Sequence, residues 1–317
     1  GMNALEDIAL QNTITIGIPR GLLYYRYEKL WKSFFKELGI NIIVSPITTH
    51  ELAEKGTSVT GSEACLALKI FFGHVHSLVG KCDYILVPRI KSYGRNREMC
   101  PRFDALYDLT VNTFRDSGQK FLTFNVDERF GISERDGFVN LGRALGVNPI
   151  AARKAYKVAK SAEHSAEAMW VCRENNLYEQ DGIKILLVAR NYVIEDAYIG
   201  KPIVDFLKDN DAIPIKAYAL DREKALCHSA DMSPTCKWEF CRETVGGVVL
   251  SRDKVDGIIL ISTFPCGPDS MVNEILIRRI SGNPVLNIVL DGQNGTAGLE
   301  TRLESFLDII RLKKGVL

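Results

Sequence analysis

Short apolar runs rich in β-branched residues alternate along most of this chain with longer stretches whose apolar residues recur at helical spacing, and no other feature restricts the fold as strongly. Residues 13–19 (TITIGIP) read as a buried strand. Residues 25–38, with Leu30, Phe34, Phe35 and Leu38 on one face, read as a helix. A second strand over 41–45 ends at Pro46. A helix over 62–79, a strand over 84–87, a helix over 103–114 and a strand over 120–126 follow. Strand, helix, strand at this rhythm predicts a parallel sheet with helices on both faces.

The middle of the chain breaks the rhythm. From Ser133 to Tyr178 there is no β-branched run, and alanines and charged residues dominate. Two helices are expected there, one ending near Gly146 and one entered through Asn148 and Pro149. Strands then return at 184–189, 213–218, 257–261 and 285–290, with helices at 202–208, 234–244, 270–280 and 298–312. With 317 residues, about two domains are expected. The fold class read from this is α/β: two Rossmann-like, flavodoxin-like parallel-sheet domains facing a cleft, with a helical connecting segment. The boundaries are 1–132 for the N-terminal domain, 133–181 for the helical segment and 182–317 for the C-terminal domain.

The 40 basic and 39 acidic residues leave a net charge of +1, with no basic run, which argues against a nucleic-acid partner. No stretch of about 18 apolar residues exists to span a membrane. Residues Gly1 to Asp7 lack the basic and apolar regions of a secretory leader, so a cytoplasmic location is expected. In that setting the eight cysteines are buried thiols, metal ligands or catalytic groups rather than a disulfide scaffold.

Ligands of open parallel sheets gather at the carboxyl ends of the strands, which gives a filter for the cysteines. Cys266 passes it best, on the turn Phe264-Pro265-Cys266-Gly267-Pro268 between a strand and a helix, where the helix N-terminus favours a thiolate. Cys100 precedes Pro101, well placed as a first helical residue, and Cys65 lies in the first turn of the helix expected over 62–79. For each, an ordinary shielded thiol is the competing reading. The other five read as structural: Cys82 sits at the amino end of a strand, Cys172 within the Ala-rich helix, and the spacing of Cys227, Cys236 and Cys241 matches no paired zinc pattern. Three thiols from two α/β units could converge across the cleft on one soft-metal site, and three leave one iron of a 4Fe–4S cube without a protein thiolate.

Ile16-Gly17-Ile18-Pro19-Arg20-Gly21, Cys65-Leu66-Ala67-Leu68-Lys69, Gly73-His74, Cys100-Pro101, Cys266-Gly267-Pro268-Asp269-Ser270 and Thr301-Arg302-Leu303-Glu304-Ser305-Phe306 together resemble the 2-hydroxyacyl-CoA dehydratase component family. Within it the chain looks closest to the branch described as acyl-CoA dehydratase activase-related. The resemblance implies a 4Fe–4S cluster held by Cys65, Cys100 and Cys266. It also implies an acyl-CoA substrate, a separate ATP-dependent activator protein as partner and a related second subunit. The expected function is the iron–sulfur component of such a dehydratase, a lyase component relaying one electron to an acyl-CoA thioester to assist loss of water. The alternative is a non-catalytic cluster-carrying or binding subunit, or a reductase of a small difficult substrate. This chain departs from the family at Ala67, where relatives carry Pro, and in the loop Asp291-Gly292-Gln293-Asn294.

Lys69, one turn after Cys65, could offset the charge of a thiolate cluster. Arg20 could meet an anionic ligand or form a surface ion pair. Arg89, Lys91, Arg95 and Arg97 make a basic loop that could meet CoA phosphates or simply be solvated. His74 is expected to be buried and hydrogen-bonded, and Ser270 to cap its helix.

Overall fold

The computed structural model describes residues 13–292 and 296–316. Gly1 to Asp7 and the loop residues Gln293 and Asn294 lie outside the described residues. The chain divides into two compact units. The first holds the described residues up to Ser62 together with Leu68–Ala166, and the second holds Glu63–Ala67 with the described residues from Glu167 onward.

In the first unit, β1 (Thr15–Ile18), β2 (Asn41–Val44) and β3 (Tyr84–Leu86) are followed by β4 (Arg89–Ser92), β5 (Lys120–Leu122) and β6 (Asn125–Asp127). The main sheet has the order β2-β1-β3-β5 and is parallel throughout, while β4 and β6 pair in a separate two-stranded parallel sheet. The order doubles back beside β1, as a doubly wound sheet does. Ile16 and Ile18 of β1 and Ile85 and Leu86 of β3 are fully buried, and the helix Tyr24–Glu37 adds Leu30, Trp31, Phe34 and Phe35 to the core. Phe34 meets Phe138 of the helix Glu134–Ala144 edge-on at 4.9 Å.

In the second unit, β7 (Ile183–Val188), β8 (Ala212–Lys216), β9 (Gly257–Thr263) and β10 (Val285–Leu290) form a parallel sheet of order β10-β9-β7-β8. Every residue of β9 is buried, and its run over 257–261 is apolar throughout, as a strand covered on both faces requires. Helices Glu239–Ser251 and Gly267–Arg279 pack Val245, Val248, Val272 and Leu276 against Leu186, Ile258 and Leu260.

The α/β class and the two parallel sheets expected from the rhythm are present. The helix His50–Val59 was not expected, because Gly56, Thr57 and Ser58 are weak helix formers. Thr49 accepts a hydrogen bond from Leu52 N to cap it, and Gly56 packs so closely on Lys69 O that a Cβ there would lie 1.8 Å away. β4 also escaped notice, since RIKS reads as a polar connection; Ile90 and Ser92 nevertheless point inward.

Candidate functional site

The three singled-out cysteines share one local setting. Cys65 immediately precedes the helix Leu66–Leu78, Cys100 is the N-cap of Pro101–Thr113, and Cys266 is the N-cap of Gly267–Arg279. Cys100 lies in the first unit, whereas Cys65 and Cys266 belong to the second. There, Leu66 N donates to Phe264 O at 3.0 Å, which fastens the residue after Cys65 to the turn that leads from β9 to Cys266. On the next strand, Phe264 N donates to Leu290 O at 2.8 Å, and a Cβ on Gly292 would stand 3.1 Å from the Leu66 side chain. The 63–67 segment therefore lies over the carboxyl ends of β9 and β10, the edge where open α/β sheets bind ligands.

Arg190, two residues past β7, supplies the charge at this edge. Its Nε donates to Asp269 Oδ1 at 2.8 Å and its Nη2 to Cys241 Sγ at 3.5 Å, with the guanidinium fully desolvated. The Tyr192 and Phe240 rings flank it, centroids 5.9 and 6.0 Å from the guanidinium carbon. Burial pushes the Cys266 thiol up to about 12, helped by Asp269 and by Cys65, while Arg190 pulls the other way. The helix N-terminus beside Cys266 was expected to favour a thiolate; desolvation and a neighbouring carboxylate outweigh it. Burial also raises the Tyr192 hydroxyl, against the pull of Arg190 and with Asp269, Cys266 and Cys65 adding to the rise.

A soft-metal group fits what this edge offers, up to a point. Two thiols are brought within electrostatic reach of each other, next to a buried guanidinium that would offset the negative charge of thiolate ligands. On the elements that carry Arg190 and Cys266, the amide nitrogens Asn191 Nδ2 and Asn273 Nδ2 are buried and have no hydrogen-bond partner, which leaves donor capacity to spend on a bound group. Among the described residues no three His, Cys, Asp or Glu side chains stand together as a metal-binding set.

The other candidates resolve individually. His74 is fully buried, with Ser45 Oγ 2.8 Å from Nδ1 and Thr48 Oγ1 2.8 Å from Nε2, and burial drops its pKa to about 3. It is a neutral core histidine, as expected. Arg20 donates from Nε to Ser45 O at 3.0 Å and lies over the Tyr24 ring. Two cations of the basic loop are paired with carboxylates, Arg89 with Asp108 at 2.6 Å and Lys91 with Asp104 at 3.2 Å. Lys69 is half-buried. Ser270 does not cap its helix: its N–H donates to Cys266 O at 3.0 Å, so it lies inside the first turn and Cys266 holds the capping position. Cys82 precedes β3, its thiol on Leu78 O, and Cys172 and Cys227 are exposed.

Arg190 is a candidate that the residues alone did not single out. It follows KILLVA, at the carboxyl end of a strand, and the filter applied to the cysteines would have found it had it been applied to every charged residue.

A family profile described as CoA enzyme activase uncharacterised domain (DUF2229) matches residues 15–218. It takes in Cys65, Cys100 and Arg190 and stops short of Cys236, Cys241 and Cys266. No curated relative matches the chain. Among solved structures, the C-terminal domain of glucosamine-fructose-6-phosphate aminotransferase from Francisella tularensis is similar at 11% identity over 100% of this chain and 87% of that one, with a TM-score of 0.21. Agreement that low carries no argument. The family match supports the acyl-CoA dehydratase activase-related branch and lies on the activator side of such a system. It thereby overturns the expectation that this chain is the iron–sulfur component of a 2-hydroxyacyl-CoA dehydratase relaying an electron to the thioester. No helix among the described residues is long and apolar enough to cross a membrane.

Proposed function

Because this chain belongs to the CoA enzyme activase uncharacterised domain family, we propose that it is an activator-side domain of an acyl-CoA dehydratase-type system, presenting a thiol-bearing edge to the dehydratase component it helps to activate. The observation that carries the reading is the Leu66 N–Phe264 O bond of 3.0 Å, which fastens the segment bearing Cys65 to the turn that leads to Cys266, beside the buried Arg190–Asp269 pair, in a chain the family profile covers for more than half its length. In this reading, ATP hydrolysis and the acyl-CoA substrate belong to the companion activator and dehydratase proteins.

Cys65 and Cys266 are the proposed ligands of a 4Fe–4S cluster, with Cys100 as the third. Such a cluster supplies one-electron transfer at a potential set by its surroundings. This chain's own residues do the rest. Arg190 offsets thiolate charge, the Tyr192 and Phe240 rings keep water from the guanidinium, and Asp269 holds it in place.

The test is anaerobic co-purification of the full chain with a dehydratase component, followed by measured activation of that component in the presence of its ATP-hydrolysing activator. The expected result is a stable complex and faster activation, with Cys65→Ser and Cys266→Ser each losing iron and at least tenfold in activation rate. Dehydration of a 2-hydroxyacyl-CoA by this chain alone, or full activation by the doubly substituted chain, overturns the reading.

A further inference from the structure

The loop that leaves β1 carries hydrogen-bond donors that the protein itself does not use. It runs over 19–23 (PRGLL), from the carboxyl end of β1 to the helix Tyr24–Glu37. The strand order reverses at β1, which lies between β2 and β3, so this loop stands at the switch point of the first unit's sheet. Arg20 is pinned there. Its N–H donates to Ser45 Oγ at 2.7 Å, its Nε to Ser45 O at 3.0 Å, and its guanidinium carbon lies 5.6 Å from the centre of the Tyr24 ring. Among the described residues no carboxylate pairs with Arg20, and no acceptor takes its Nη1 or Nη2. Gly21 N, Leu22 N and Leu23 N likewise donate to no protein acceptor among them, although Leu22 and Leu23 are buried. Buried backbone donors are nearly always paired, which makes this run of idle amides unusual.

The backbone shapes these donors into a receptor. Leu22 has a φ of 48°, in the left-handed region, and Leu23 follows at φ −64° and ψ −14°, right-handed. A left-handed residue beside a right-handed one turns successive amides toward a common side, and the concavity suits an anion. Leucine adopts the left-handed conformation against steric resistance that glycine would not meet. The burial of the Leu22 and Leu23 side chains holds the loop in that shape. The helix that follows has no acid in its first turn to repel a negative charge, and its first acid, Glu28, is paired with Lys32 at 2.7 Å.

We propose that this loop binds a phosphate group, taken by the Arg20 guanidinium and by the amides of Gly21, Leu22 and Leu23. The planar fork of a guanidinium matches two phosphate oxygens. A tetrahedral phosphate then has further oxygens for the amides, which a carboxylate lacks. Ser45 and the Tyr24 ring fix the guanidinium before the ligand arrives, so little side-chain freedom is lost on binding. The ligand is inorganic phosphate or the phosphate end of a small phosphorylated compound. The inference is independent of the proposed function, because the loop belongs to the first unit, apart from Cys65 and Cys266, and its test reads ligand binding and not activation.

The experiment titrates the isotope-labelled full chain with inorganic phosphate and, in a second arm, with ADP. Calorimetry reads affinity and nuclear magnetic resonance reads the amide protons of residues 21–23. The expected result is saturable binding in at least one arm, with the Gly21, Leu22 and Leu23 amide protons moving downfield. Tighter binding of inorganic phosphate identifies the free ion as the ligand, and tighter binding of ADP identifies a carried phosphate. Arg20→Gln is expected to weaken binding at least tenfold, and Arg20→Lys to weaken it less, since lysine keeps the charge without the fork. Arg278→Gln, in the second unit, is expected to leave the affinity unchanged. If Arg20→Gln does not fold, the amide shifts of the parent chain decide alone. Absence of saturable binding of either probe at millimolar concentration, shifts confined to other residues, or parental affinity in a folded Arg20→Gln protein overturns the proposal.

Discussion

Arg190 Nε donates to Asp269 Oδ1 at 2.8 Å with both side chains buried, so residues 79 positions apart form a charge pair at the carboxyl end of the second unit's sheet. The pair joins the turn after β7 to the helix after β9, and through Cys241 it reaches the helix Glu239–Ser251 as well. Three separate crossovers are thus locked to one guanidinium. A buried pair adds little net stability over an apolar replacement of similar shape, but removing one partner strands the other charge.

Asp269→Asn is accordingly expected to cost about 3–5 kcal/mol of stability, since the guanidinium would be left buried and unpaired. Arg278→Ala, which breaks the exposed Arg278–Glu274 pair, should change stability by no more than about 0.5 kcal/mol. Urea denaturation of the two variants checks the contrast, and equal losses would count against the role assigned to the buried pair.

His74 gives the fold a dependence on pH. Its pKa falls from the ordinary 6.5 to about 3 because burial disfavours the charged ring and Arg20 repels it. Below pH 6.5 the unfolded chain takes up a proton that the folded chain refuses until about pH 3. Stability therefore falls as pH drops through that window, by up to about 1.4 kcal/mol per pH unit. Between pH 6.5 and 5, above the range of most carboxylates, His74→Gln should flatten the slope by nearly that amount. Denaturant midpoints at pH 7, 6 and 5 measure it, and parallel curves for the two proteins would rule the effect out.

In the first unit, Lys160 Nζ meets Glu134 Oε1 at 2.8 Å and Glu163 Oε2 at 2.6 Å, and Tyr156 OH donates to Glu134 Oε1 at 2.8 Å. Burial works against the lysine's charge, but the two carboxylates overcome it and raise its pKa. Lys160→Met removes a cation shared by two buried acids and should cost about 3–5 kcal/mol. Thermal or urea unfolding measures the loss; a variant as stable as the parent would show that other groups compensate the carboxylates.

The legible parts of this protein were those where one residue class decides the outcome. The fully buried β9 announced itself as GIILI, and Pro149 marked the start of the long helix Pro149–Tyr178. The helix-adjacent positions of Cys100 and Cys266 were equally readable, because Pro and Gly beside them fix the turns, whereas Cys65, expected inside the first turn of a helix from 62, instead precedes a helix that starts at Leu66. Contacts between distant residues were not. The carboxyl-end rule could point to Arg190, but nothing local announces its partner Asp269, since that pairing is made by tertiary packing. The helix His50–Val59 was missed for a related reason, since close packing on its neighbour holds it more than its own propensity does, while Arg222–His228, REKALCH behind an Asp221 cap, carries its own signal and was simply too short to stand out.

Gly246 makes the second of those packings possible. A Cβ at this position of the helix Glu239–Ser251 would lie 1.7 Å from Ala225 O on the helix Arg222–His228, and at Gly247 it would lie 2.5 Å from Ala217 O. Backbone atoms, not flexible side chains, occupy the space, so the helices must separate to admit even a methyl group. Overpacking of this kind typically costs about 1–3 kcal/mol, and with backbone as the obstacle Gly246→Ala should reach about 3 kcal/mol. Gly298→Ala, in the helix Thr296–Lys314 with open space around the added methyl, should instead stabilise by about 0.5 kcal/mol through its better helix propensity. Unfolding midpoints of the two variants measure both effects. A Gly246→Ala protein with parental stability would mean that the two helices do not touch as described.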